Sequence, residues 1–223
     1  MPRIRFVVLS WRRLVAPPAL AFAAVCSLLA AAPAAELKPL SGRLIVVDPG
    51  HGGEDRGVCY FPQDLIEKEI NLDVARRVAA RLEAEGARVI LTREEDAYVS
   101  LDERAARANE AGADLFLSVH TNRIPGHPEC YGAQTFYHPS SEEGKRLAGL
   151  VQEELLKIDP ENYRSALPGD YRVLRLSQMP GVIVEIGFMT NARDRGLIAT
   201  GAYRDRVAGA VVRGVARYFA NEE

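Results

Sequence analysis

Several residues of this chain are of the right types to do chemistry together. His51 lies in Asp48-Pro49-Gly50-His51-Gly52-Gly53, His120 in Ser118-Val119-His120-Thr121-Asn122, and Glu185 in Val184-Glu185-Ile186-Gly187. Two further acids, Glu67 and Glu69, open an apolar-periodic segment. Two imidazoles and a carboxylate are the donor set of a catalytic zinc ion, which takes three protein ligands and keeps a fourth position open. A second carboxylate beside such an ion serves as general base and then returns the proton to a leaving amine. The chemistry indicated is metal-assisted hydrolysis.

The elements that would position these residues are legible. Arg43–Asp48 is a β-branched run ending at Pro49-Gly50, the pattern of a buried strand. Ile70, Val74, Val78 and Leu82 recur at helical spacing from Lys68 to about Glu85, and Gly86 supplies a stop. Strands are expected at Arg88–Thr92, Asp114–Val119, Ala133–Tyr137, Tyr171–Leu174 and Val182–Ile186. Ser100 and Glu103 form a capping box before an alanine-rich helix, and Ser140 with Glu143 repeats the pattern before a helix with Leu147, Val151 and Leu155 inward. A last helix, about Tyr203 to Ala220, buries Val207, Val211 and Val215. Strands and helices alternating in this way predict an α/β single domain: a twisted, mostly parallel six-stranded sheet with helices on both faces.

In such sheets ligands bind beyond the carboxyl ends of the strands. His51, His120 and Glu185 all fall there. Glu67 shares the buried helix face with Ile70 and Val74, whereas Glu69 is rotated towards solvent, so Glu67 is the expected third ligand. Glu185 is left as the proton carrier, with a structural ion pair to Arg93 as its alternative. His127, in a Pro/Gly-rich loop, and His138, just past a strand, lack such placement and read as surface residues or substrate contacts.

The bulk properties fit an extracytoplasmic enzyme. Arg3, Arg5, Arg12 and Arg13 precede an apolar stretch that ends in small residues around Ala32-Pro33-Ala34. Residues 1–35 therefore read as a secretory signal peptide, or as an N-terminal membrane anchor if retained, followed by a linker at 36–41 and a catalytic domain at 42–220. Without the leader arginines, acids outnumber bases in a chain of formal charge −2, which argues against a nucleic-acid partner. Cys59 and Cys130 stand as a candidate disulfide in an oxidising compartment or as two unpaired thiols.

Six segments in order, Val47–Gly53, Glu67-Lys68, Thr92-Arg93, Leu101–Arg104, Ser118–Asn122 and Val184–Asn191, resemble the motifs of zinc-dependent N-acetylmuramoyl-L-alanine amidases. The resemblance covers residues 42–220, and it is nearest to the branch that acts in sporulation and germination. It implies one Zn2+ per chain on His51, Glu67 and His120, and Glu185 as the catalytic glutamate. Arg93 and Asn122, inside the same motifs, become expected substrate contacts. The implied reaction cleaves the amide between the lactyl group of N-acetylmuramic acid and L-alanine in peptidoglycan, within spore cortex maturation towards muramic-δ-lactam. Some members plug their site with a helix inserted after the fourth strand. The short span from Tyr137 to Ser140 has no room for one, so an open cleft is expected, controlled by expression timing or a regulatory partner protein. A monomer is expected. The competing readings are a zinc exopeptidase on free peptides and a catalytically dead wall-binding regulator.

Overall fold

The computed structural model describes residues 38–61 and 64–220. The expected signal peptide or anchor at 1–35 lies outside them. Among the described residues, no helix is long and apolar enough to cross a membrane.

In chain order the elements are β1 (Leu44–Pro49), β2 (Cys59–Tyr60), β3 (Leu65–Ile66), α1 (Glu67–Ala84), β4 (Arg88–Leu91), α2 (Leu101–Ala111) and β5 (Leu115–Asn122). They are followed by β6 (Gln134–Tyr137), α3 (Glu142–Ile158), β7 (Leu167–Pro168), α4 (Arg172–Leu176), β8 (Gly181–Phe188), α5 (Ala192–Ile198) and α6 (Gly201–Ala220). Six strands form one sheet in the order β4-β1-β5-β8-β6-β7. All neighbours run parallel except β6 against β8. β2 and β3 make a separate antiparallel ribbon.

The two faces of the sheet are covered unequally. Ile45 and Val47, Leu115, Leu117 and Val119, and Val182, Val184 and Ile186 join the large core under α1, α3 and α6. The intervening Val46, Phe116 and Ile183 belong to a smaller cluster with Ala108 of α2 and Val173 and Leu174 of α4. Successive strand side chains alternate between faces. Asp48, His120 and Glu185 therefore follow Val46, Phe116 and Ile183 onto the thinly covered face. A short helix there leaves the strand ends open.

Several local expectations change. Tyr171–Leu174 is not a strand. Tyr171 is extended, but Arg172–Leu176 is helical, and the sixth strand is Leu167–Pro168. Val173 and Leu174 are both buried in the same cluster, which a strand, sending neighbours to opposite faces, would not allow. The cap of α3 is Ser141, whose hydroxyl accepts from the Gly144 N–H at 2.9 Å. Ser140 instead meets His138 Nδ1 at 2.8 Å. The capping box of Ser100 and Glu103 forms as expected. Within the expected linker, Leu40 is fully buried and its N–H donates to the Glu85 carbonyl. Cys59 and Cys130 are free thiols, both half-buried.

Candidate metal centre

Three donors converge where β1, α1 and β5 end. One ligand atom from each of His51, Glu67 and His120 lies within 4.8 Å of the others. No other such group of three or more His, Cys, Asp or Glu side chains occurs among the described residues. Glu67 is the hub. Its Oε1 lies 3.1 Å from His51 Nε2 and 3.2 Å from His120 Nδ1, and it accepts from the Thr121 N–H at 3.1 Å. Its Oε2 accepts from the Val58 N–H at 2.8 Å. Glu67 is buried and Glu69 exposed, as the helix phase predicts.

The local backbone is built for close approach. His51 itself adopts φ 60°, a left-handed conformation that few non-glycine residues take. A Cβ on Gly50 would stand 2.1 Å from His120 Cε1, and one on Gly57 would stand 2.5 Å from Glu67 Oε2. The His120 ring thus lies close against bare main chain, edge-on to the His51 ring at a centroid distance of 4.9 Å.

Outer contacts fix the donors' orientation. His51 Nδ1 meets Asp55 Oδ2 at 2.8 Å, which leaves Nε2 to face the cluster. A carboxylate on the far nitrogen is the usual way a ligating histidine is aimed. Asn71, one turn after Glu67, donates to the Gly50 carbonyl at 3.2 Å. Arg104 donates to Asp48, to the Pro49 and Val99 carbonyls, and to the His51 carbonyl at 2.8 Å. Asp48 also accepts from Thr92 and Ser118.

The charges of the three donors are coupled. Burial pulls the His51 pKa down, but the Glu67 hydrogen bond and charge, with Asp55, outweigh it and lift the value to about 9. His120 is likewise depressed by burial and raised, on balance, by Glu67 and Glu185. Burial pushes Glu67 up, yet the two imidazoles hold it well below the usual carboxylate range. A buried carboxylate facing two imidazoles, with one donor atom from each within 4.8 Å of the others, is an arrangement that can hold a divalent cation. The nitrogen, nitrogen, oxygen donor set fits zinc.

Glu185 is paired in register with His120 across β5 and β8. Its Oε2 is buried without a hydrogen-bond partner. Burial raises its pKa to about 7, against the pull of His120. The alternative of an ion pair to Arg93 is not realised. Arg93 is itself buried, and its N–H groups go to the carbonyls of Pro49, Gly50, Lys68 and Glu95. These bonds tie the His51 loop to the start of α1. Asn122 sits half-buried at the end of β5, its Oδ1 accepting from the Arg123 N–H and its carbonyl from the Met189 N–H. His127 and His138 lie outside the cluster, bonded to Glu129 and to Ser140 with Asp170.

Asp55, Asn71 and Arg104 were absent from the expected site residues. Their signals are in the sequence: Asp55 and Asn71 each stand four residues after a donor, and Arg104 closes one of the six motifs.

An α/β sheet with this donor cluster and an unpartnered acid at its strand ends has the framework of an amide hydrolase. Residues 45–217 match the family model described as N-acetylmuramoyl-L-alanine amidase, and the chain belongs to that family. It is 35% identical over 197 residues to the germination-specific N-acetylmuramoyl-L-alanine amidase of Bacillus subtilis, covering 81% of each chain. It is 38% identical over 183 residues to the amidase LytC of the same organism, covering 81% of this chain and 36% of LytC. Among solved structures, the CwlD amidase from Clostridioides difficile, in complex with the GerS lipoprotein, aligns with a TM-score of 0.77 at 31% identity, covering 80% of this chain and 99% of CwlD. The protein is an N-acetylmuramoyl-L-alanine amidase acting on peptidoglycan.

Proposed function

We propose that His51, Glu67 and His120 hold one zinc ion, and that Glu185 moves the proton as the lactyl–L-alanine amide is hydrolysed. The observation that carries the reading is the register of Glu185 beside His120, which puts an unpartnered acid next to the three convergent donors. Zinc, when bound, supplies a Lewis acid that polarises a carbonyl and acidifies water. The protein does the rest. Asp55 aims His51, and Arg104 and Arg93 pin the loop that carries it. Glu185 takes a proton from the attacking water and delivers it to the alanine nitrogen as the C–N bond breaks. The products are a lactyl carboxylate on the sugar and a stem peptide with a free amine. An acid whose burial sets its pKa to about 7 suits both halves of that transfer.

The same reading places the enzyme outside the cytoplasm, at the cell wall or spore cortex, with a sporulation or germination role. Likeness to a germination-specific amidase and to CwlD supports that role. CwlD's complex with a lipoprotein supports a regulatory partner here.

The test is mass spectrometry of muropeptides incubated with zinc-loaded protein, chelated protein and the Glu185→Gln variant. Zinc-loaded protein is expected to release intact stem peptide and leave a free lactyl group. Chelated and Glu185→Gln proteins are expected to release none. Release of single amino acids would instead indicate an exopeptidase, and equal release by wild type and Glu185→Gln would remove Glu185 from the chemistry.

A further inference from the structure

Beside the metal cluster runs a cleft of about 150 Å³ whose far wall the mechanism above does not use. That wall carries Tyr98, Leu101 and Tyr171, which are 55%, 49% and 38% exposed, with Val99, Val173 and Ile183 beneath them. Both tyrosines are held in place. The Tyr98 backbone lies against Gly53, where a Cβ would stand 2.7 Å from its nitrogen, so the residue is seated on the His51 loop. The Tyr171 ring folds over Gly169, where a Cβ would stand 2.3 Å from Cε2, and packs edge-on to Phe136 at 5.3 Å. Burial and the charge of Glu185 both raise the Tyr171 pKa, which agrees with a place close to the reacting centre.

The wall's charges narrow what it receives. Two arginines line it, and both are committed. Arg172 grips Asp102 with both carboxylate oxygens at 2.5 and 2.7 Å, and Arg104 is spent on Asp48 and backbone carbonyls. The nearby acids are engaged as well, Asp102 by Arg172 and Asp55 by His51. A stem peptide carries carboxylates and finds no free cation on this wall. The sugar on the acyl side of the scissile amide is uncharged, because its lactyl carboxyl is consumed in that amide. One face of its ring presents C–H bonds and its rim presents hydroxyls. A tyrosine with an apolar ring and a wet hydroxyl matches that pattern.

We propose that Tyr98 and Tyr171 form the glycan-side subsite and receive the apolar face of an N-acetylated hexosamine, while the stem peptide extends the other way. The inference rests on the amidase reading and goes beyond it by assigning direction and recognition. Two ladders of zinc-loaded turnover test it. One lengthens the glycan from muramic acid to the disaccharide on a fixed peptide, and the other lengthens the peptide from two to four residues on the disaccharide. The second sugar is expected to raise kcat/KM in wild type. Tyr98→Ala and Tyr171→Ala are expected to cut that gain about tenfold, as loss of one stacked aromatic platform does. The gain from a longer peptide should persist in both variants, and Tyr171→Phe should keep most of the glycan gain. An unchanged glycan gain in the variants, no glycan gain in wild type, or loss of the peptide gain instead would overturn the assignment. If Tyr171→Ala fails to fold by circular dichroism, the exposed Tyr98→Ala decides alone. Wild type that releases no stem peptide from any rung refutes the amidase reading itself, a result distinct from the others.

Discussion

Substituting Gly50 by alanine tests how tightly the centre is built. The backbone at Gly50 does not have positive φ, so alanine adds a steric demand without conformational strain. Its Cβ would stand 2.1 Å from His120 Cε1, 2.2 Å from Nε2 and 2.6 Å from Nδ1. The loop cannot give way easily. The Gly50 N–H donates to the Val119 carbonyl at 3.0 Å, and the Gly50 carbonyl accepts from Arg93 at 3.0 Å and Asn71 at 3.2 Å. The imidazole must therefore retreat, by roughly 1.3 Å, to regain ordinary contact. Metal ligation tolerates about 0.2 Å. Loss of one zinc donor is expected to weaken binding by at least about a hundredfold, beyond the range that outer-contact changes produce. Overpacking should cost the metal-free fold only about 1–3 kcal/mol.

Calorimetric zinc titration of chelator-stripped wild type and Gly50→Ala reads the first quantity, and urea unfolding of the same metal-free proteins reads the second. Zinc affinity within threefold of wild type would refute the claim that bare main chain at Gly50 sets the His120 position. Equal loss of zinc binding and of cooperative unfolding would show a collapsed fold and refute the local account.

Three other outcomes follow from the same geometry. Gly149→Ala in α3, where a Cβ meets nothing within 4 Å, should stabilise the protein by about 0.5–1 kcal/mol in urea unfolding and leave zinc affinity unchanged. Arg104→Met strands the buried Asp48 carboxylate, frees the His51 carbonyl and leaves the Pro49 carbonyl with Arg93 alone, so unfolding should be easier by about 3–5 kcal/mol; a change below 1 kcal/mol would remove Arg104 from the loop's support. Burial raises the Glu185 pKa from its ordinary value to about 7 in the folded chain. The unfolded chain then ionises first as pH rises, so this group's stabilisation of the metal-free protein is complete below the ordinary carboxylate range and is lost on rising to about pH 7. The urea midpoint should fall more between pH 4 and pH 8 in wild type than in Glu185→Gln, and parallel profiles would contradict the assignment.

How much of this was legible in the sequence depends on the range of the forces involved. β1, β5 and β8 announce themselves because a strand buried on both faces must be apolar throughout, and the helix phase that separates Glu67 from Glu69 is a local property of one segment. Those two facts suffice to gather His51, Glu67, His120 and Glu185. Tyr171–Leu174 misleads because β-branched and aromatic residues in a short run satisfy both a strand and one helical turn. Only the position of Phe116 and Ile183 on the thin face decides that Val173 and Leu174 must both turn inward. Arg93 is ambiguous in the sequence for a related reason. A motif marks a residue as needed without saying whether substrate or backbone needs it, and here four carbonyls take its guanidinium.

Arg93 and Arg104 both end on the loop that carries His51, Arg93 on Pro49 and Gly50 and Arg104 on Pro49 and His51. A loop bearing a residue at φ 60° needs such support, since its own local preferences oppose the conformation. The centre is therefore held from beneath by two buried arginines, with Asp48 neutralising one of them. With that support in place, the residues above the loop have little else to position. The tyrosines of the cleft make no hydrogen bond to the three donors, whereas Asp55 holds His51 at 2.8 Å and belongs with the support. On the proposed reading, recognition and metal binding are thus carried by different layers of one sheet edge.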